Sequence, residues 1–188
     1  MLDNLVKKNR SYRRFFEDEP IPEQTVRSLA DLSRFTGSGA NRQALRYFLS
    51  ADAETNDKIF PQLAWAGFFK DWDGPEKGER PTGYIIITQH EALKAMPFDV
   101  GIAAQTILLG AVEAGFGGCM LANIQREKLK TALRLPADAE ILLVIALGKP
   151  KETVVLEEID ADGDTKYYRD ADGTHHVPKR KLKDILLS

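Results

Sequence analysis

The sequence predicts a mixed fold of helices and strands organised around one buried helix. Three observations carry that reading. The run from Pro97 to Asn123 opens a helix with apolar residues on nearly every face and closes it on Gly115-Phe116-Gly117-Gly118. Tyr84-Ile85-Ile86-Ile87-Thr88 and the stretch 140–147 are short aliphatic runs of strand type. From Pro22 to Phe35, apolar residues recur at helical spacing. The 188 residues fit a single domain, 1–188.

Taken in order, residues 2–8 form a short helix with Leu2, Leu5 and Val6 on one side. The basic run from Lys7 to Arg14 follows. Guanidinium forks match phosphate geometry, and Ser11 adds a hydroxyl between Arg10 and Arg13. Alone, such a run reads as a solvated turn. Pro22-Glu23-Gln24 starts the next helix, with Val26, Leu29, Ala30, Leu32 and Ser33 as its apolar face. The loop from Thr36 to Gln43 is small and amide-rich. Asn41 and Gln43 each offer a donor and an acceptor, which suits the edge of a heteroaromatic ring, although a plain connector has the same composition.

Leu45 to Ser50 reads as a strand. A helix is expected over 55–69 despite Pro61, with Ile59, Phe60, Leu63, Ala64 and Phe68 at helical spacing. Residues 70–81 are polar and turn-rich, a lid-like excursion. Pro97 suits the first position of the central helix. That helix is too diluted by Asp99, Gln105, Glu113, Ala and Gly to be a membrane span. Cys119 to Ala122 follow as a short strand, and 126–133 as an amphipathic helix. Residues 153–177 hold two acidic glycine turns around Lys166-Tyr167-Tyr168-Arg169, a hairpin or extended excursion. The tail, 174–188, is basic and then helical, and His175 and His176 read as exposed strand residues rather than a metal pair.

Composition excludes several classes. A net charge of -2 argues against a general nucleic-acid binder. One cysteine excludes an internal disulfide and a cysteine metal cluster. Without an apolar leader at the N-terminus, the expected location is cytoplasmic.

The motifs are individually weak, but their order resembles the FMN-dependent nitroreductase superfamily across nearly the whole chain. The pattern R-R-S-x-R-x-F is met from Arg10 to Phe15, with Asn9 in place of the first Arg. The loop S-x-x-N-x-Q-P-W is met at Ser38, Asn41 and Gln43 and departs at Ala44 and Leu45. G-L-G-x-C is matched by Gly115 to Cys119, and Pro178-Lys179-Arg180 looks like the C-terminal basic pair. WAGFFKDWDGPEKGERP and HHVPKRKLKDIL look like a compact subgroup of nitroreductases.

The resemblance implies an α+β sandwich, with a central, mostly antiparallel sheet flanked by helices, built as an intertwined homodimer. Two FMN sites would lie at the interface, each lined by both subunits. Arg10, Ser11 and Arg13 would hold the phosphate and ribityl chain, completed by Lys179 and Arg180. Ser38, Asn41 and Gln43 would form the loop against the isoalloxazine, and Leu121 and Ala122 would run along the ring. No side chain is expected to be catalytic and no metal is expected, because flavin carries the redox chemistry itself. Cys119 reads as a packing residue. Phe68, Phe69 and Trp72 cap the substrate face or pack in the core. The implied activity is NADH- or NADPH-dependent reduction of nitroaromatics, quinones or similar flat acceptors, by ping-pong hydride transfer. Other flavin chemistry on the fold, such as reductive dehalogenation or flavin modification, and a non-catalytic FMN sensor or store are the alternatives.

Overall fold

A computed structural model describes residues 2–69, 71–90 and 92–187. Lys70 and Ser188, at the ends of the expected excursion and tail, lie outside the described residues. The chain runs α1 (Leu2–Lys8), β1 (Phe15–Phe16), α2 (Glu23–Ser33), β2 (Leu45–Ser50), α3 (Ala53–Ile59), β3 (Gly83–His90) and α4 (Pro97–Glu113). It continues through β4 (Gly117–Leu121), α5 (Arg126–Ala132), β5 (Ala139–Pro150), β6 (Val154–Ile159), β7 (Tyr168–Arg169) and β8 (His175–Arg180).

The twelve-residue β5 organises the main sheet. It pairs with β3 along one edge, and with β4 and then β1 along the other; β2 lies outside β3, and every pairing is antiparallel. Side chains alternate across a strand, so Ile85, Ile87, Ile145 and Leu147 reach one face while Tyr84, Ile86, Val144 and Ala146 reach the other. The first face carries α2 and α4 through Val26, Leu29, Ala104, Ile107 and Leu108. The second carries Ile59 of α3 and Leu129 of α5. This is the expected sandwich of one antiparallel sheet between helices.

Helix α4 forms although Gly101 and Gly110 each cost about 1 kcal/mol of helix propensity. Burying a side chain such as Ile107 returns about 1.5–3 kcal/mol, which outweighs either glycine. Gly110 also serves packing. A Cβ there would come 2.8 Å from Leu32 and 3.0 Å from Leu29, so α2 could not lie as close. The expected burial all round does not hold within one chain. The sheet and α2 cover α4 on one side, while Phe98 and Ile102 remain 55% and 41% exposed. Leu32 is likewise more open than an apolar-face residue should be.

Other expectations change for local reasons. The helix over 55–69 stops at Ile59 and tightens into a 3-10 turn, Phe60–Gln62. Pro61 lacks an N–H and its ring opposes a continuing helix. Leu63 then turns extended and bridges Ile124. Near the C-terminus, β6 and β8 pair in parallel and only β7 and β8 form an antiparallel pair, in a separate sheet of order β6-β8-β7. The first half of the tail is therefore strand, and its helical part is one 3-10 turn, Leu182–Asp184. Residues 71–81 are tied along the body. Trp72 packs against the core, Glu17 accepts the N–H groups of Gly78 and Arg80, and Glu79 pairs with Arg14 and Lys151. No helix among the described residues is long and apolar enough to cross a membrane.

Candidate functional site

The basic segment after α1 is held in place by two glycines. Ser11 forms a parallel bridge with Gly118, and the Tyr12 N–H donates to the Gly118 carbonyl at 3.1 Å. A Cβ on Gly117 would stand 2.6 Å from the Tyr12 ring, and one on Gly118 2.2 Å from the Ala146 carbonyl oxygen. Gly117 thus leaves room for Tyr12 of the Arg-Ser-x-Arg segment against β4, and Gly118 for the close approach of β5. Gly115, at φ +80°, ends α4 just before it. The Phe116 N–H reaches the Ala111 carbonyl and the Gly115 N–H reaches the Val112 carbonyl, the hydrogen bonds of a left-handed helix end.

A cleft of about 350 Å³ opens beside that segment. Arg10, Ser11 and Arg13 form one wall and β8 another. Alternation along β8 sends His175, Val177 and Lys179 into the cleft together. Gln105 and Leu108 of α4 and Met120 of β4 close the remaining side. No Asp or Glu among the described residues lines it.

The charges in this cleft are unspent. Arg10 donates Nη2 to the Val6 carbonyl at 2.7 Å but leaves Nε buried without a partner. Burial lowers its pKa, against a smaller opposing effect from Tyr12. Arg13 donates Nη1 to the Ser11 carbonyl at 3.2 Å, and its guanidinium lies 5.0 Å from the centre of the Tyr167 ring. Arg10, Arg13 and Lys179 have no acidic side-chain partner among the described residues. Beneath them, Glu152 has a side chain only 1% exposed; it accepts the Arg13 backbone N–H and pairs with Arg169 at 3.0 Å. It fixes the basic segment without neutralising the Arg13 side chain. Three free cations, a hydroxyl and an orphaned guanidinium N–H suit a phosphate monoester, which carries roughly two negative charges at neutral pH.

The structure gathers Arg10, Ser11, Arg13 and Lys179 and leaves the other expected residues elsewhere. Arg180 sits on β8 next to Lys179, so it faces the other way and does not line the cleft. Leu121 is in the core; its neighbour Met120 reaches the cleft instead. Ala122 is exposed just past the end of β4, its carbonyl accepting from Arg126 at 3.2 Å. Ser38, Asn41 and Gln43 form a separate, self-bonded loop. The Gln43 N–H donates to Ser38 Oγ at 3.2 Å, and the Gln43 amide to Asn41 Oδ1 at 3.3 Å. Ala40, Asn41 and Gln43 hold positive φ, and Asp99 anchors the loop by accepting the Gly39 N–H at 2.9 Å. Asn41 and Gln43 are exposed. A cavity of about 420 Å³ adjoins this loop at Ser38 and Gln43.

The cleft also takes in His175, Tyr167 and Met120, with Glu152 beneath it, none of which was expected there from the sequence. His175 is buried, contrary to the exposed strand residue expected, because β8 packs that face on Phe69 and Tyr167. Alternation from Lys179 back to His175 was the available signal. Cys119 packs in the core as expected, and burial pushes its thiol up to about 12. Phe69 and Trp72 also pack, under the Arg169 guanidinium.

Comparison with known proteins agrees with this fold. The solved structures similar to the chain include a nitroreductase family protein from Clostridium difficile 630, with a TM-score of 0.63 at 17% identity, covering 79% of this chain and 83% of that one. Another, from Clostridium novyi NT, has a TM-score of 0.65 at 18% identity over 80% and 86% of the two chains. An FMN-dependent nitroreductase from Clostridium difficile R20291 has a TM-score of 0.61 at 18% identity over 80% and 91%. No curated protein matches. At these identities the structures show the fold alone. The sequence profile of the nitroreductase family, however, matches residues 6–149, most of the chain and all of α2 through β4, and by that match the chain belongs to the nitroreductase family.

Proposed function

We propose that the protein is an FMN-dependent NAD(P)H oxidoreductase that reduces nitroaromatics, quinones or similar flat acceptors. One observation carries the reading: segment 10–13 and β8, far apart in sequence, converge on a cleft whose three cations lack acidic partners among the described residues. That donor set suits the single terminal phosphate of FMN. Arg10, Arg13 and Lys179 bind it, Ser11 donates to it, and Glu152 holds the Arg13 backbone in register. When bound, FMN supplies hydride chemistry, so no side-chain nucleophile or metal is required. Nicotinamide and acceptor are both flat and compete for one open face, which gives ping-pong kinetics. Parallel double-reciprocal lines for NADH and a quinone are the expected pattern.

The working unit in this reading is a homodimer. The support is the open apolar face of α4, at Phe98 and Ile102, and the outward amides of Asn41 and Gln43, which share no cavity with the cationic cleft. A second copy would bring that loop to the ring of a flavin held in the first. Extraction of the purified protein tests the cofactor: release of FMN rather than FAD is expected, and protein that stays colourless after incubation with FMN refutes the reading.

A further inference from the structure

His175 occupies its place in the cleft at a cost to the fold. Its side chain is 1% exposed, yet neither ring nitrogen has a hydrogen-bond partner among the described residues. The nearest acid is Glu152, with Oε2 3.9 Å from Nδ1, outside hydrogen-bond reach. That carboxylate is already engaged by the Arg13 N–H and by Arg169. Phe69 and Tyr167 pack on the imidazole, with ring centres 5.6 Å and 5.3 Å away. A phenyl ring would fill this aromatic niche without stranding two polar atoms, and stranded buried polar atoms destabilise a fold. Packing therefore does not account for a histidine here, whereas the cleft does. His175 shares the face of β8 that carries Val177 and Lys179, and all three line the cleft with Arg10 and Arg13.

We propose that His175 recognises the phosphate group in this cleft, as a neutral imidazole whose ring N–H donates to an anionic oxygen held by Arg10, Arg13 and Lys179. The inference rests on the flavin-phosphate reading above and adds a residue beyond the span matched by the family profile, 6–149. A neutral imidazole has one donor and one acceptor. Burial holds this ring down to about 4, with Arg13, Arg169 and His176 adding like charge, so it is neutral at pH 7. Glu152 is the one acid facing it among the described residues; Arg169 pairs with that carboxylate, and the Arg13 backbone N–H donates to it. A neutral donor adds direction without placing a fourth cation among three that already repel one another. Both nitrogens lie beneath the cleft surface, where a hydrogen bond is stronger than in water. Binding in this way requires the partly exposed Tyr167 ring, packed on His175, to give way for the oxygen.

The test compares wild type with His175→Phe and His175→Gln, using FMN, riboflavin and inorganic phosphate as probes. Quenching of flavin fluorescence gives the two flavin affinities, and thermal protection gives phosphate binding. His175→Phe is expected to melt no lower than wild type and to bind FMN about tenfold more weakly, with riboflavin affinity unchanged. His175→Gln keeps an N–H donor and recovers part of the loss. Should His175→Phe not fold, His175→Leu carries the same comparison. Unchanged FMN affinity, or equal losses for FMN and riboflavin, overturns the proposal and leaves a packing role. Wild type that binds neither flavin refutes the flavin reading instead. Inorganic phosphate then decides on His175 alone: protection that wild type shows and His175→Phe lacks supports it, and equal or absent protection overturns it.

Discussion

Two cavities of similar size treat their arginines in opposite ways. The cleft of about 350 Å³ holds Arg10 and Arg13, with Lys179, and gives them no acidic partner among the described residues. The cavity of about 420 Å³ beside the 38–43 loop holds Arg27, Arg34 and Arg46. There Glu23 holds Arg27 at 2.9 Å, Asp31 holds Arg34 at 2.9 Å, and Arg46 donates to the carbonyls of Gln43 and Leu45, each at 2.8 Å. Volume does not distinguish the two regions; the pairing of their charges does. The first region is prepared for an anion. The second pairs Arg27 and Arg34 with acids, holds Arg46 on backbone carbonyls, and turns the neutral amides of Asn41 and Gln43 outward. A phosphate-bearing flat cofactor needs one region of each kind, and the two stand apart within a single chain.

The largest expected effect separates the regions by ligand. Arg13→Ala should weaken FMN about tenfold to hundredfold, since a charge-assisted bond to phosphate is worth about 1.5–3 kcal/mol, and should spare riboflavin. Gln43→Ala should weaken both flavins alike and less, because neutral hydrogen bonds are worth about 0.5–1.5 kcal/mol. Arg14→Ala should change neither much, because Arg14 is engaged by Glu79 at 3.1 Å. Parallel fluorescence titrations check all three variants. Equal effects at Arg13 and Arg14, or a phosphate-selective effect at Gln43, would erase the distinction between the regions.

A charge on the open face of α4 should act on both regions together. Ile102→Asp is expected to convert a dimer to monomer in sedimentation, since a carboxylate would have to enter an apolar interface. Flavin affinity should fall with it. A flavin-loaded Ile102→Asp monomer would show that one chain suffices.

Acid titration separates the two adjacent histidines of β8. The folded value of His175, about 4, lies below its ordinary 6.5, so its contribution to stability is complete above pH 6.5 and is lost as pH falls toward 4. His176 runs the other way. Hydrogen bonds to Asp170 and Glu157 raise its pKa, so its contribution is complete below its unfolded value and is lost as pH rises through the folded one. In melting curves taken across pH, His175→Phe should flatten the acid limb and His176→Gln the limb above it. The smallest effect belongs to Cys119→Ala. A thiol pushed up to about 12 in the core is no nucleophile, so flavin affinity and turnover should hold while stability falls by about 1 kcal/mol.

The main sandwich was legible because its signals are local. Ile85 to Ile87 and Ile141 to Ile145 can hardly be anything but buried strand, and the periodicity of α2 and α5 matches the helices observed. Failures fell where a local signal met a longer-range one. The apolar spacing past Ile59 favoured a helix, but Pro61 ended it and Leu63 found an extended partner in Ile124. Parallel pairing of β6 with β8 joins segments some twenty residues apart, a register that turn chemistry does not encode. The cationic half of the candidate site was legible as residue types at Arg10, Ser11, Arg13 and Lys179, which the structure gathers on one cleft. Which neighbour faces the cleft was not: strand alternation exchanges Leu121 for Met120 and turns Arg180 away.

The claim that each flavin is held by the cationic cleft of one copy and the amide loop of another is tested most directly by mixed dimers. Arg13→Ala and Gln43→Ala chains, carrying different tags, would be co-expressed and the mixed species isolated. If the site is shared, one of its two sites carries both defects and the other carries none, so a half-complement of FMN should bind with wild-type affinity. If each chain holds its own flavin, every site keeps one defect, and the mixed dimer should show no wild-type binding at all.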